Sequence, residues 1–452
     1  MMSLHDAATA TAGKLLGPSV VFAGVTTDSR RIATGDLFIA LKGERFDGHA
    51  FVADSIRRGA AAALVSTQVE ADIALPQVLV DDTRVALGRL AADWRARFAL
   101  PLLALTGSNG KTTVKEMLAA ILAAHCDGLH AVLATEGNLN NDIGMPLTLL
   151  KLRDRHRYAV IEMGMNHAGE IEYLTRIAQP TVALVNNAHR AHVGLLGDVA
   201  AIARAKGEIY GALRPNGIAV VNADDAFAEY WKGLVPGHRV VTFGMQEGAD
   251  VRGHVDSEQL RLVTPTDAFA VRLQVPGEHN VLNAIAACAA AFALEIPPHD
   301  IQQGLNGFAG VPGRQERRAG SGGATVIDDT YNANPDSMKA AAKVLALAPA
   351  RKVFVMGDMG ELGEDALAMH AEVGAFAKSL GIHRLLALGE SSRAAVQAFG
   401  AGGEHFATLE ALLAAVRRED APGVTILVKG SRFMQMERVA EALAPGGGRH
   451  AA

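Results

Sequence analysis

An α/β protein built from three units is what this sequence predicts, on three observations. The chain has 452 residues, more than one hydrophobic core usually serves, since single cores stop growing at about 250 to 300 residues. From Leu102 onward, apolar strand-like runs alternate with helix-patterned segments, the signature of parallel sheets covered on both faces. Between the run Leu102 to Leu105 and a helical pattern near Val114 lies Thr106-Gly107-Ser108-Asn109-Gly110-Lys111-Thr112-Thr113, a strand-to-helix turn of the kind that holds nucleotide phosphates.

The first unit, 1–83, reads as a small α/β domain of short strands such as Asp36 to Leu41 and Gln77 to Val80. A helical pattern from Arg84 to Phe98, with Leu87, Leu90, Ala91, Trp94 and Phe98 on one face, opens the second unit, 84–312. Its strands are Leu102 to Leu105, Tyr158 to Met163, Thr181 to Asn186 and Ile218 to Asn222, with helices starting near Val114, Gly169 and Asp198. Val311-Pro312-Gly313 reads as a linker. The third unit, 313–452, is a Rossmann-like α/β domain with strands at Ala324 to Asp328, Lys352 to Met356, Arg384 to Leu388 and Thr425 to Val428, and a disordered tail from Pro445 to Ala452.

Composition narrows the classes. With 43 basic and 48 acidic residues, a formal charge of −5 and no Lys/Arg block, a nucleic-acid partner is not expected. Cys126 and Cys288 lie in apolar helical segments without metal or redox spacing and read as buried thiols in a reducing compartment. Met1 to Gly17 lacks the apolar core of a secretory signal, and the run Ala284 to Leu294 falls short of the ~18 to 20 residues that cross a bilayer. A cytoplasmic protein without membrane insertion is the expectation.

In the turn, Gly107 and Gly110 let backbone N–H groups approach phosphate oxygens, with Ser108, Asn109 and Thr113 completing the loop. The new helix presents its positive end, Lys111 adds a point charge, and the Thr112 hydroxyl suits Mg²⁺. The longer form of the motif carries a glycine where this chain has Leu105, so the match is to Gly-x-x-Gly-Lys-Thr. Glu162 closes the strand Tyr158 to Ile161, where an acid can ligate Mg²⁺ or be an ordinary strand-terminal carboxylate. Lys206, within a helical pattern, reads by itself as a solvated lysine. The loops Gly137 to Gly144, Pro276 to Asn283 and Asp328 to Asp336 are polar and turn-rich, suited either to ligands or to capping their neighbours. Gly357-Asp358-Met359-Gly360-Glu361-Leu362-Gly363 lacks dinucleotide spacing, which excludes a nicotinamide or flavin site.

Taken together these segments resemble the ATP-dependent Mur ligases of peptidoglycan synthesis, from about Asp28 to Arg432. The carriers are the phosphate turn through Met117, Gly137-Asn138-Leu139-Asn140-Asn141-Asp142-Ile143-Gly144-Met145-Pro146-Leu147, Ile161 to Asn166, and Asp328 to Met338. Ala40 to His49 is similar to the family's N-terminal domain, which holds a UDP-sugar. The resemblance implies ATP and Mg²⁺ as cofactors, with UDP-N-acetylmuramoyl-tripeptide and D-Ala-D-Ala as partners of a monomeric ligase acting through an acyl phosphate.

Residue by residue, it implies Lys111, Glu162, His192 and Lys206 as catalytic, and Thr112, Glu162, His192 and a carbamylated Lys206 as metal ligands. Nucleotide contacts would include Asn280, Asn283, Arg314, Asp329 and Tyr331. Substrate contacts would be Ser29, Arg30, Lys42, Gly43, Arg45, Asp47, Gly48, His49, Asn138, Asn140, Asn332, Asn334, Lys429, Ser431 and Arg432. Where the family commonly has Ala-His-Leu-Glu-Gly-Phe-Gly, this chain has Ala191-His192-Val193-Gly194-Leu195-Leu196-Gly197. The alternatives are a ligase of the family adding another amino acid, of the diaminopimelate-adding or folylpolyglutamate type, and an ATP-binding switch that ligates nothing. The absence of Asp-Asn-Pro-Arg in the third unit argues against the diaminopimelate-adding enzyme.

Overall fold

Three principal sheets follow one another along the chain in a computed structural model that describes residues 1–44, 46–70, 75–126, 128–256, 259–349 and 351–446. The first has five strands in the order Lys14–Leu16, Gln77–Leu79, Ala62–Val65, Asp36–Ile39, Gly24–Thr26, parallel except at the Lys14–Leu16 edge. A two-stranded ribbon, Met2–Ser3 with Val21–Phe22, flanks it.

The central sheet has nine strands in the order Ala268–Val271, Gln259–Val263, Val251–Asp256, Arg239–Gly244, Ile218–Asn222, Val182–Val185, Leu102–Thr106, Tyr158–Glu162, Val132–Ala134. From Val132–Ala134 to Val251–Asp256 every pairing is parallel. The last three strands form an antiparallel meander, so the sheet is mixed where a parallel one was expected. The difference has a local cause: Gln259–Val263 alternates exposed and buried residues as an edge hairpin does, whereas the expectation followed the apolar runs alone.

Leu102–Thr106 is buried at all five positions, and its chain order relative to its neighbours makes it a switch point, where ligands sit beyond the carboxyl ends of strands. The following helix, Lys111–His125, buries Val114, Met117, Leu118, Ile121 and Leu122, a stripe at helical spacing. Burying each of its leucine and isoleucine side chains contributes about 1.5–3 kcal/mol. Against it packs helix Glu278–Ala293, where the run expected to be buried is buried from Ala284 to Ala291.

The third sheet has six strands in the order Glu316–Ala319, Thr325–Asp329, Val424–Lys429, Arg351–Gly357, Arg384–Leu388, Gly403–Phe406, parallel apart from Glu316–Ala319. Separate apolar clusters cover its two faces. Helix Thr83–Ala96 packs against helices of both the N-terminal and central units. The part of the expected tail from residue 447 to 452 lies outside the described residues.

Candidate active site

The phosphate turn begins two residues later than the longer motif would place it. Leu105 is fully buried inside the strand, so the turn proper runs from Gly107 to Gly110. Gly110 has φ 78°, and a Cβ there would lie 2.2 Å from Asn283 Oδ1, so both backbone conformation and space require glycine. No side chain caps the helix that starts at Lys111, which leaves its positive end facing the cavity beyond. The neighbouring strand's end holds the turn: Ser108 N donates to Asn187 O at 3.0 Å, Asn109 N to Asn187 Oδ1 at 2.9 Å, and Asn186 Nδ2 to Asn109 O at 2.9 Å. Ser108 Oγ donates to His189 O at 3.0 Å, and Lys111 Nζ folds over the turn onto Gly107 O at 2.7 Å.

Glu162 sits beside it, 2% exposed. Its Oε2 accepts from Thr112 Oγ1 and its Oε1 from Asn140 Nδ2, both at 2.8 Å, while its own N–H donates to Thr135 Oγ1 at 2.9 Å. Arg314 reaches in from the third unit, donating to Thr112 Oγ1 at 2.8 Å with its guanidinium 4.0 Å over the Tyr331 ring. A hydroxyl and a carboxylate meeting at a cavity wall are hard oxygen donors that fit Mg²⁺. Among the described residues no three His, Cys, Asp or Glu side chains form a ready-made metal cluster.

Lys206 is 2% exposed, which corrects the reading of a solvated lysine. Burial, with the nearby Lys111 charge, holds its amine well below the ordinary lysine value. Burial likewise lowers Lys111, with Glu162 opposing and Arg314 adding to the effect. His192 has φ 62°, and its Nδ1 lies 2.5 Å from Glu361 Oε2 of the third unit. That contact holds the Glu361 carboxyl below its ordinary value.

The third unit closes the cavity. Asn334 caps helix Pro335–Ala346 and donates from Nδ2 to Asn109 Oδ1 at 2.7 Å, bridging directly to the phosphate turn. Lys429 Nζ is 2.9 Å from Asp329 Oδ2 and donates to Asn332 O at 2.8 Å. Arg190 pairs with Asp336 at 2.7 Å and Glu372 at 2.8 Å. On the central side, Asn283 Oδ1 accepts from Asn186 Nδ2 at 3.0 Å and Asn280 Nδ2 donates to Pro276 O at 2.7 Å.

Between these elements lies an open cleft of about 890 Å³. Its walls bring together Ser108, Asn109, Gly110, Lys111, Thr112, Thr113, Asn138, Asn140, Glu162, His192, Lys206, Asn280, Asn283, Arg314, Asp329, Tyr331, Asn332, Asn334, Lys429 and Arg432. Gly107 and Ser431 support the walls without lining them, Ser431 Oγ accepting from Gly360 N at 2.7 Å.

Ser29, Arg30, Lys42, Gly43, Asp47, Gly48 and His49 do not line the cavity. They sit in loops of the first unit, where Arg30 pairs with Asp28 at 2.9 Å and His49 Nδ1 lies 2.5 Å from Asp47 Oδ1. Arg45 lies outside the described residues. His189, which follows the run Thr181 to Asn187, and His279 of the loop Pro276 to Asn283 also line the cavity, as do Asn186, Asn187 and Asn222, to which the sequence reading gave no role. Asn186 and Asn222 close apolar runs at strand carboxyl ends, the signal that drew attention to Glu162. Glu361 gave no comparable signal, because its role is a contact with a residue of another unit.

A phosphate turn at the switch point of a largely parallel sheet, facing a polar loop from a second α/β unit, is the architecture of a nucleotide-dependent enzyme. Family models described as the Mur ligase family catalytic domain, the Mur ligase middle domain and the Mur ligase glutamate ligase domain match residues 21–95, 105–291 and 313–432. UDP-N-acetylmuramoyl-tripeptide–D-alanyl-D-alanine ligase from Escherichia coli K12 is 44% identical, with 96% of each chain covered, and that from Haemophilus influenzae is 40% identical, with 95% of each covered. A crystal structure of MurF from Acinetobacter baumannii superposes with a TM-score of 0.89 at 40% identity, covering 96% of this chain and 97% of that one. MurF from Thermotoga maritima in complex with ADP gives 0.80 at 27% identity, covering 93% and 97%. The chain belongs to the Mur ligase family. No helix among the described residues is long and apolar enough to cross a membrane.

Proposed function

We propose that this chain is the family member that joins D-Ala-D-Ala to UDP-N-acetylmuramoyl-tripeptide, converting ATP to ADP and phosphate in peptidoglycan precursor synthesis. The observation that carries the reading is the pair of bonds by which the third unit meets the phosphate turn, Arg314 to Thr112 and Asn334 to Asn109. A nucleotide-dependent ligation needs its acceptor loop and its phosphoryl donor within one cleft, and near-full-length identity to ligases with these named substrates agrees with it.

A carboxylate is a poor electrophile, so the tripeptide's terminal carboxylate attacks the γ-phosphate, displaces ADP and becomes an acyl phosphate. The amine of D-Ala-D-Ala then attacks that acyl carbon, and the tetrahedral intermediate collapses to the amide with loss of phosphate. In this reading Lys111 and the turn N–H groups balance charge on the transferring phosphoryl group, and Arg314 steadies it from the third unit. Thr112, Glu162 and His192 would hold Mg²⁺, which neutralises phosphate charge. Burial biases the Lys206 amine toward the neutral form, the form that CO₂ can carbamylate, which would add a further oxygen donor.

The same reading assigns 1–83 to the UDP-sugar, 84–312 to ATP and 313–452 to the incoming dipeptide, with Lys429, Asn332 and Arg432 facing the latter. Substrates carried on UDP and spent with ATP agree with a reaction in the cytoplasm.

The test is incubation of the purified protein with ATP, Mg²⁺, UDP-N-acetylmuramoyl-tripeptide and candidate amino substrates, with the product read by mass. Phosphate release requiring both tripeptide and D-Ala-D-Ala is expected. Slow ATP hydrolysis indifferent to either would make the protein a switch, and a product carrying a single added amino acid would make it a different ligase of the family.

A further inference from the structure

We infer that Glu361, a loop residue of the third unit, is a positioning residue for His192, so that this ring is set for a cation only when the third unit is docked; the inference rests on the metal role proposed for His192. Glu361 Oε2 lies 2.5 Å from His192 Nδ1. The approach is short, although the N–H is not aligned on the oxygen. An imidazole engaged at Nδ1 keeps Nε2 for a ligand, and a carboxylate in that place fixes the ring's orientation.

Backbone geometry makes the contact specific to this pair of loops. His192 and Glu361 both hold left-handed conformations, φ 62° and 60°, which are costly for a non-glycine residue and persist where surrounding contacts over-determine them. Those contacts are visible. Gly194 N donates to Glu361 O at 2.9 Å, and a Cβ on Gly194 would lie 2.4 Å from Gly363 N and 2.8 Å from Glu361 O. The two loops therefore meet backbone to backbone, with the carboxylate delivered to the ring at the seam. Glu361 itself lines no part of the cavity, whereas His192 does, so the carboxylate acts through the histidine.

The experiment measures Mn²⁺ binding by electron paramagnetic resonance to the full-length protein with ADP, for wild type, Glu361→Gln, Glu361→Ala and His192→Ala. Thermal melts confirm folding of each variant; the Glu361 side chain is 48% exposed, and the glutamine variant keeps its size. Both Glu361 variants are expected to weaken Mn²⁺ binding about 10- to 100-fold, with Glu361→Gln the milder. Loss in His192→Ala with both Glu361 variants unchanged overturns the positioning role alone. Unchanged Mn²⁺ binding in His192→Ala overturns the metal role of the histidine and this inference with it.

Discussion

Arg314 Nη2 donates to Thr112 Oγ1 across 2.8 Å although 202 residues separate them in the chain. One end belongs to the opening of the third unit and the other to the first turn of the phosphate helix, so the hydrogen bond measures whether the two units are together.

Arg314→Ala is expected to lower kcat/KM for ATP by about 10²-fold, the scale of losing one charge-stabilising donor. Tyr331→Ala removes only the surface on which the guanidinium stacks and should raise the KM for ATP by about 3- to 10-fold. Steady-state kinetics with ATP varied checks both, and equal effects would contradict the division of roles.

Lys111→Ala should reduce substrate-dependent phosphate release by about 10²- to 10³-fold with the circular dichroism spectrum unchanged. The amine's hydrogen-bond partner is Gly107 O within the same turn, so little of the fold depends on it. Near-normal turnover would remove the central claim.

Gly110→Ala places a methyl group 2.2 Å from Asn283 Oδ1 at φ 78°. The backbone alone costs about 1–2 kcal/mol, and Asn283 must move, so ADP affinity by calorimetry should fall together with Tm.

Arg190→Ala should lower Tm near neutral pH, since its charge-assisted hydrogen bonds to Asp336 and Glu372 are worth about 1–3 kcal/mol. The difference should shrink in acid. Contacts with Arg190 hold the Glu372 carboxyl below its ordinary 4.5, and at Asp336 they outweigh burial to hold it below 3.8. A lowered carboxylate stabilises fully above its ordinary value and ceases to as pH falls through the folded one. Melts of both proteins from neutral pH to below pH 4 check the sign.

Lys206→Ala should abolish turnover and be partly rescued by a short carboxylic acid, while intact-mass spectra in bicarbonate show a CO₂ adduct on wild type alone. An unmodified Lys206 and no rescue would count against carbamylation.

Much of this molecule could be read from residue order because its signals are local. Strand Ile218–Asn222 and strand Arg384–Leu388 fall where their apolar runs end, and the phosphate turn is legible because its glycines, lysine and threonine act within eight residues. The meander from Val251 to Val271 was not legible, since alternation at a sheet edge is weak and its partners are set by pairing. Lys206 was misread by its own residues, as helix lysines mostly point to water; its burial comes with the packing of helix Val199–Gly207 against neighbouring elements. The Arg190 cluster and the Glu361 contact exist only once two separate units touch.

The helix Glu278–Ala293 carries Asn280 and Asn283 in its opening turns and an almost unbroken file of buried alanines behind them. Methyl groups are too short to yield by rotating, so this helix rests on the sheet and on helix Lys111–His125 like a key cut to one depth. A branch added to that file would press on the sheet and on that helix, and the residue it disturbs first at the turn is Asn283, whose Oδ1 accepts from Asn186 Nδ2. The packing of an unremarkable apolar helix thereby bears on how Asn283 meets the glycine turn.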